Sequence, residues 1–132
     1  MTYSIVTSSK TGNTQAVADA IAAALPPEGC VYRGAPAPEA LDADVIFAGF
    51  WTDKGTCAQD MAGFLPLCGG KKVALFGTAG FGGDPDYFNM LLENVKKLLP
   101  SDAVYLGGWM CQGRMPGSLV VQAFLDLALQ VL

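Results

Sequence analysis

The sequence contains no histidine. Without an imidazole, the chain cannot form a Ser-His-Asp triad or a Cys-His dyad, and it cannot bind a metal through histidine. Charged residues are also scarce, at 15%, where typical domains have ~25%. Because a chain without histidine most simply takes its chemistry from a cofactor, we expect a binding site and no catalytic side chains.

Other absences exclude whole classes of partner. The net charge is −4 and there is no basic tract, so nucleic acid is not expected as a partner. No apolar run reaches the length of a membrane span, and Met1–Ser9 carries no basic segment of the kind that opens a secretory signal. The sequence has no CxxC pair, so a zinc or iron–sulfur site is not expected. The wide spacing of the cysteines favours a reducing cytoplasm. The cysteines are Cys30, Cys57, Cys68 and Cys111.

The order of apolar segments predicts an α/β fold. A length of 132 residues predicts a single domain spanning 1–132. Apolar strands without a period of two are typical of a parallel sheet that is buried on both faces, which predicts a three-layer, doubly wound, five-stranded parallel sheet. The predicted strands are Tyr3–Thr7, Cys30–Arg33, Val45–Gly49, Val73–Gly77 and Val104–Gly108. The predicted helices are Asn13–Leu25, Cys57–Leu65, Pro85–Leu99 and Leu119–Leu132.

The loops that follow strands are longer and richer in glycine and hydroxyl residues than those that follow helices. In a parallel sheet these loops share the carboxyl edge, where ligands of open α/β sheets bind. The first loop combines hydroxyls, an amide and a glycine before a helix N-terminus, which indicates a phosphate site; the alternative is a Ser/Thr-rich helix cap. Its candidate residues are Ser8, Ser9, Lys10, Thr11, Gly12, Asn13 and Thr14.

The segment from Ile5 to Ala18 closely resembles the flavodoxin signature, and the match extends to Ile21. Thr7 departs from the signature, which has an aromatic residue there. In that family the loop holds the phosphate of FMN, so the resemblance implies FMN as cofactor. It also implies the strand order 2-1-3-4-5 and membership of the short-chain subgroup.

The resemblance implies that two further loops contact the isoalloxazine ring. In the second loop, Trp51 is expected to stack on the ring, the alternative being a core tryptophan, and the Lys54–Gly55 peptide is expected to change orientation on reduction. In the third loop, glycines let backbone amides approach the ring, and Phe81 replaces the tyrosine of classical flavodoxins; the alternative for Phe81 is a flexible connector. The candidate residues are Phe50, Trp51, Thr52, Asp53, Lys54, Gly55, Thr78, Ala79, Gly80, Phe81, Gly82 and Gly83.

Two C-terminal features complete the predictions. The segment Trp109–Pro116 follows the fifth strand; Met110 and Cys111 are expected to be a gap-filling methionine and a buried thiol, the alternative being a lining for the flavin or a docking surface. In the last helix, polar residues form one stripe flanked by Leu125 and Leu129. This pattern suggests a surface for a homo-oligomer or another partner, unless neighbouring side chains cover it.

The resemblance implies an FMN-binding protein that carries electrons between redox partner proteins, a reductase and an acceptor. The alternative is a small flavoenzyme that reduces a quinone or a tetrapyrrole (bilin) at the exposed flavin edge. The chain is also similar to compact flavodoxin-like subunits that work beside bilirubin reductases in gut bacteria. A third class, a module that has lost its flavin, is disfavoured by the near-complete phosphate loop.

Overall fold

The computed structural model describes residues 1–10, 12–80 and 84–112, together with Asp126 and Gln130. The strands are β1 Tyr3–Thr7, β2 Cys30–Gly34, β3 Val45–Asp53, β4 Thr56–Cys57, β5 Lys72–Ala79 and β6 Val104–Gln112. The helices are α1 Asn13–Ala24, α2 Gln59–Phe64 and α3 Pro85–Lys96. Short 3-10 turns lie at Pro27–Gly29, Pro38–Asp42 and Leu65–Leu67.

The long strands form one parallel sheet in the order β2-β1-β3-β5-β6. The short β4 lies off this path and pairs antiparallel with the end of β3. When β4 is left out, the order is 2-1-3-4-5, which confirms the predicted topology. The reversal of strand order at β1 and β3 places a crevice at their carboxyl ends.

The sheet separates two apolar clusters, as expected for a layer that is buried on both faces. Ile5 and Phe47 pack with Val17 and Ile21 of α1 in one cluster. The alternate residues of the same strands point the other way, and they pack with α2 and α3 in the second cluster. That cluster includes Val6, Ile46, Ala48, Phe50, Met61, Phe64, Leu91 and Val95. Each fully buried large side chain contributes about 1.5–3 kcal/mol relative to exposure.

Three strands run past the glycine at which the sequence predicted their ends. β3 continues from Gly49 to Asp53, β5 from Gly77 to Ala79, and β6 from Gly108 to Gln112. A Cβ on Gly77 would lie 2.5 Å from the Phe50 ring, and one on Gly49 would collide with the Phe76 ring. These glycines therefore make room for aromatic rings inside the sheet.

The predicted helix Cys57–Leu65 was wrong at both ends, because Cys57 belongs to β4 and α2 covers only Gln59–Phe64. β3 and β4 are joined by the two-residue turn Lys54–Gly55, whose φ angles are 53° and 83°. Positive φ at both positions is the type I′ geometry, which matches the twist of a hairpin. The segment expected to be a loop, 50–56, is thus mostly a β-hairpin.

The end of the chain is described only in part. Trp109 to Gln112, predicted as loop, are strand residues, and Met110 and Cys111 are buried as expected. Asp126 and Gln130 are helical and exposed. The rest of the predicted helix Leu119–Leu132, with Leu125 and Leu129, lies outside the described residues, so self-association through that helix stays a prediction. Among the described helices, none has both the length and the hydropathy to cross a membrane.

Candidate functional site

A cavity of about 210 Å³ opens at the carboxyl edge of the sheet, where the segments after β1, β3 and β5 converge. All of its lining residues are among those that the sequence predicted as site residues. They are Lys10, Asn13, Trp51, Thr52, Thr78, Ala79 and Gly80. The structure therefore brings the three predicted segments together around one space.

Other predicted site residues do not line this cavity. Phe50 is fully buried, with its ring against Gly77, so only its backbone is available to the site. Asp53 ends β3, and Lys54 and Gly55 form the hairpin turn. Ser8, Ser9, Gly12 and Thr14 lie in the loop and at the start of α1 beside the cavity. The predicted residues Thr11, Phe81, Gly82 and Gly83 lie outside the described part of the chain.

The N-terminus of α1 carries the features of an anion site. Gly12 is the N-cap with a φ of 90°, a conformation that favours glycine, and it provides no capping side chain. Ser9 Oγ accepts hydrogen bonds from the backbone N–H groups of Gly12, at 3.2 Å, and Gln15, at 3.4 Å. As an acceptor in both bonds, the Ser9 hydroxyl keeps its hydrogen for a ligand. The first turn contains no acidic residue, so the positive end of the helix dipole is not opposed there.

Ser8 is used differently from its neighbour. Its hydroxyl donates to Asp60 Oδ1 at 2.8 Å, and the same carboxylate oxygen accepts the Met61 N–H, also at 2.8 Å. The single hydroxyl hydrogen of Ser8 is therefore already engaged. The bond between Ser8 and Asp60 fixes the loop to α2. Asp60 was not among the residues predicted from the sequence. An acidic residue in the first turn of α2 was the only signal for it in the sequence.

A chain of threonine hydroxyls joins the three converging segments. Thr14 Oγ1 lies 2.8 Å from Thr78 Oγ1 and also donates to the Phe50 carbonyl at 3.4 Å. Thr52 Oγ1 donates to the Thr78 carbonyl at 2.9 Å. Within the described chain, no buried side-chain nitrogen or oxygen lacks a hydrogen-bond partner. These bonds hold the walls of the cavity in place from inside the protein.

Trp51 lies at the cavity wall, half-buried, and the ammonium of Lys10 is 5.1 Å from the centroid of its ring. Such a cation–π contact contributes about 0.5–1 kcal/mol at an exposed site. Among the described residues that line the cavity, Lys10 is the one with a charged side chain. The predicted position of Trp51 at the edge of a site, and not in the core, agrees with this geometry.

The hairpin turn is anchored to α3. Asn94 Nδ2 donates to the Gly55 carbonyl at 2.8 Å. This bond holds the carbonyl of the Gly55–Thr56 peptide, next to the peptide that was expected to reorient on reduction. Sequence reasoning missed Asn94, whose only signal is that it lies between the buried residues Leu91 and Val95 on α3.

The thiols of Cys57 and Cys111 offer no nucleophile. Burial raises the pKa of Cys111, on β6, to about 11, and burial also raises the pKa of Cys57. Both therefore stay protonated at neutral pH. A search of the described residues found no group of cysteine and carboxylate side chains that could hold a metal ion.

The sequence profile of the flavodoxin domain matches residues 4–130. The chain belongs to the flavodoxin family. FMN is therefore its cofactor, and its general function is FMN-dependent electron transfer. The site fits this flavin: the start of α1 with the Ser9 hydroxyl suits a phosphate, and Trp51 suits a flat ring.

The curated relatives of this flavodoxin are flavodoxin-like domain-containing proteins named BilS. BilS of Clostridium symbiosum is 36% identical over 132 aligned residues, which cover 87% of this chain and 70% of BilS. BilS of Clostridioides difficile is 36% identical over 76 residues, which cover 58% of this chain and 43% of that protein. The alignments therefore span less than the full length of either relative.

Solved flavodoxin structures share the fold at low sequence identity. A short-chain flavodoxin associated with a non-canonical PDU bacterial microcompartment has a TM-score of 0.73 at 17% identity, covering 97% of this chain and 94% of that one. Flavodoxin 2 from Bacillus cereus has a TM-score of 0.70 at 21% identity, covering 96% and 97%. These likenesses show that the chain shares the fold of these proteins over almost its whole length.

Proposed function

We propose that this flavodoxin holds FMN in the cavity between Lys10, Trp51 and Thr78, and that it passes electrons from a reductase protein to an acceptor protein. The observation that carries the proposal is the start of α1, where the N-cap Gly12 has no side chain and the Ser9 hydroxyl keeps its hydrogen, beside a cavity walled by a tryptophan. Bound FMN supplies the redox chemistry by taking up two electrons with one or two protons from the reduced partner and returning them to the oxidised one.

The chain's own residues bind and orient the cofactor in this proposal. At the phosphate end, the backbone N–H groups of α1 act together with Ser9, Thr11 and Asn13, while Ser8 and Thr14 keep the loop in shape. At the ring end, Trp51 offers a flat face, and among the described residues no heavy atom beyond the chain neighbours of Gly80 lies within 4 Å of a Cβ placed there. We extend the ring end to Phe81, Gly82 and Gly83 from the sequence alone.

An FMN titration with two neighbouring variants tests the proposal. Apoprotein is titrated with FMN, and the quenching of flavin fluorescence gives the Kd. Ser9→Ala is expected to weaken FMN binding at least tenfold, because a charge-assisted bond to the phosphate is lost. Ser8→Ala is expected to weaken it less than threefold and to lower stability instead, since Ser8 bonds to Asp60. Wild-type protein that gives neither quenching nor a flavin band would contradict the proposal.

The second candidate is a small flavoenzyme that reduces a quinone or a bilin. The surroundings of Gly80 favour it, because the described residues beyond its chain neighbours put no atom within 4 Å of an added Cβ, which would give a planar substrate room beside the ring. The reaction would pass two electrons to a quinone, which takes up two protons, after an external reductant has reduced the flavin. Turnover of a quinone or bilirubin with dithionite-reduced protein and no partner enzyme supports this candidate, and turnover only with a partner enzyme supports the carrier.

The same proposal includes the cellular compartment of the protein and the proteins with which it associates. No disulfide joins cysteines 30, 57, 68 and 111, which all lie in the described part of the chain, and this suits a reducing cytoplasm. A bilin-reducing enzyme is the class of acceptor that the sequence resemblance suggests, and a homo-oligomer through the last helix is the association to examine. Light scattering and co-purification with the acceptor test these two points.

A further inference from the structure

The backbone of Lys10 lies at one end of the cavity, and the end of its side chain lies at the other. Its backbone follows Ser9 at the phosphate end, while its ammonium lies 5.1 Å from the centre of the Trp51 ring at the other wall of the cavity. The salt bridges found in the described residues join Arg33 to Asp19 and Lys96 to Glu93. The charge of Lys10 is thus held by an aromatic face and is not neutralised by a carboxylate in the described part of the chain.

We infer that Lys10 determines which charge state of the cofactor this site prefers, by favouring the reduced form that carries one extra negative charge. The inference rests on the proposed FMN site. The anion site at the start of α1 already has neutral donors for the phosphate, namely backbone N–H groups and the Ser9 hydroxyl. The ammonium is therefore free to act on the wall against which a flat ring would lie.

The surrounding charges make this single cation matter. The chain has a net charge of −4; Asp53 ends β3, the strand that carries Trp51, and Asp60 is hydrogen-bonded to Ser8 in the loop that precedes α1. When FMN takes up two electrons and one proton, the ring gains one negative charge, which these carboxylates oppose. An unpaired ammonium at the cavity wall offsets that repulsion, more strongly the less water lies between them.

Lys10→Gln is the variant that tests the inference, with Lys97→Gln as its matched control. Both changes remove one positive charge, but Lys97 is exposed at the far end of α3. The Kd for oxidised FMN comes from titration, and the ratio of the affinities for reduced and oxidised FMN comes from the midpoint potential, with dithionite as the electron donor. For a two-electron couple, a tenfold change in that ratio corresponds to about 30 mV.

Lys10→Gln is expected to lower the ratio of reduced to oxidised affinity roughly five- to tenfold, and the effect should shrink as salt is added. Lys97→Gln is expected to change the ratio less than twofold. Equal effects of the two variants would overturn the inference. It would also be overturned if Lys10→Gln weakened both forms of FMN equally while leaving riboflavin binding unchanged, since Lys10 would then serve the phosphate.

A readout without FMN separates this inference from the proposed function. In the apoprotein, Trp51 fluorescence is quenched by iodide, which an ammonium attracts, and by caesium, which it repels. In a Trp109→Phe background, and again with both tryptophans present, Lys10→Gln should lower iodide quenching and raise caesium quenching. Unchanged quenching would overturn the Lys10–Trp51 contact. Wild-type protein that binds no FMN would overturn the proposed function and this inference together, whereas bound FMN with an unchanged ratio overturns the inference alone.

Discussion

The hydroxyl oxygens of Thr14 and Thr78 lie 2.8 Å apart although 64 positions separate them in the sequence. Both side chains are buried, with exposures of 1% and 4%. The bond joins the first turn of α1 to the end of β5, beside the carboxyl end of β3. The shape of the cavity therefore depends on a hydrogen bond between the side chains of these two residues.

A double-mutant cycle measures this bond. Thr14→Val and Thr78→Val keep the size and branching of each side chain but remove the hydroxyl. Each single change is expected to lower the free energy of unfolding by about 1–2 kcal/mol, because it leaves the other buried hydroxyl with a poorer partner. The double variant should cost less than the sum by at least about 0.5 kcal/mol, as measured by urea unfolding. Strictly additive effects would show that the two hydroxyls do not interact.

Gly77 is predicted to tolerate no side chain. Gly77→Ala would place a Cβ 2.5 Å from the Phe50 ring and 2.6 Å from the Met110 sulfur, so we expect a loss of about 1–3 kcal/mol from overpacking. The control is Gly63→Ala in α2, where the described residues outside the local helix backbone put no atom within 4 Å of the new Cβ. That change should stabilise the protein by about 0.5–1 kcal/mol, since it restricts the unfolded chain. Thermal unfolding that gave both variants the same sign would contradict the packing argument.

Asn94 is predicted to stabilise the β3–β4 hairpin through its bond to the Gly55 carbonyl. Asn94→Ala should lower the free energy of unfolding by about 1 kcal/mol and should speed amide exchange in β4. Asn89→Ala is the matched control, because Asn89 is exposed on the same helix. If the two variants have equal stability and equal exchange in β4, the bond does not anchor the hairpin.

Cys68 is predicted to make the protein less stable at alkaline pH. Its thiol is fully buried, and burial raises its pKa from 9.0 to about 11. A thiol whose pKa is raised by folding stays protonated in the native state while it ionises in the unfolded chain, so its contribution is complete below pH 9 and declines between pH 9 and 11. The stability difference between wild type and Cys68→Ala should therefore narrow from pH 7 to pH 10.5. A difference that stayed constant across this range would contradict the shifted pKa.

The sequence predicted the topology and the meeting of the three segments at the cavity, because both follow from local features. Parallel strands must have their carboxyl ends at the same edge, and hydroxyl- and glycine-rich segments follow those ends. For this reason the segments that carry Lys10, Trp51 and Thr78 could be expected to meet, and all three residues line the cavity; their roles toward a cofactor stay a prediction.

The misplaced strand ends have one physical cause. The predicted strands ended at Gly49, Gly77 and Gly108, whereas each of these glycines lies inside a strand, under or beside a bulky side chain of another residue. That relation depends on which strands are neighbours and in which register, and neither is visible in a local window. The hydrogen bonds from Ser8 to Asp60 and from Asn94 to Gly55 could not be predicted for the same reason, since each joins distant parts of the chain.

The register of β3 and β5 places Gly49 opposite Phe76 and Phe50 opposite Gly77. The two rings thus cover the glycines of the partner strand, one on each face of the sheet. A slip of one position would pair Phe50 with Phe76 if it went one way, and Gly49 with Gly77 if it went the other. In evolutionary terms these four positions should vary as two compensating pairs, so a relative with a larger residue at position 77 should carry a smaller one at position 50, and an alignment of family members can be checked for that covariation.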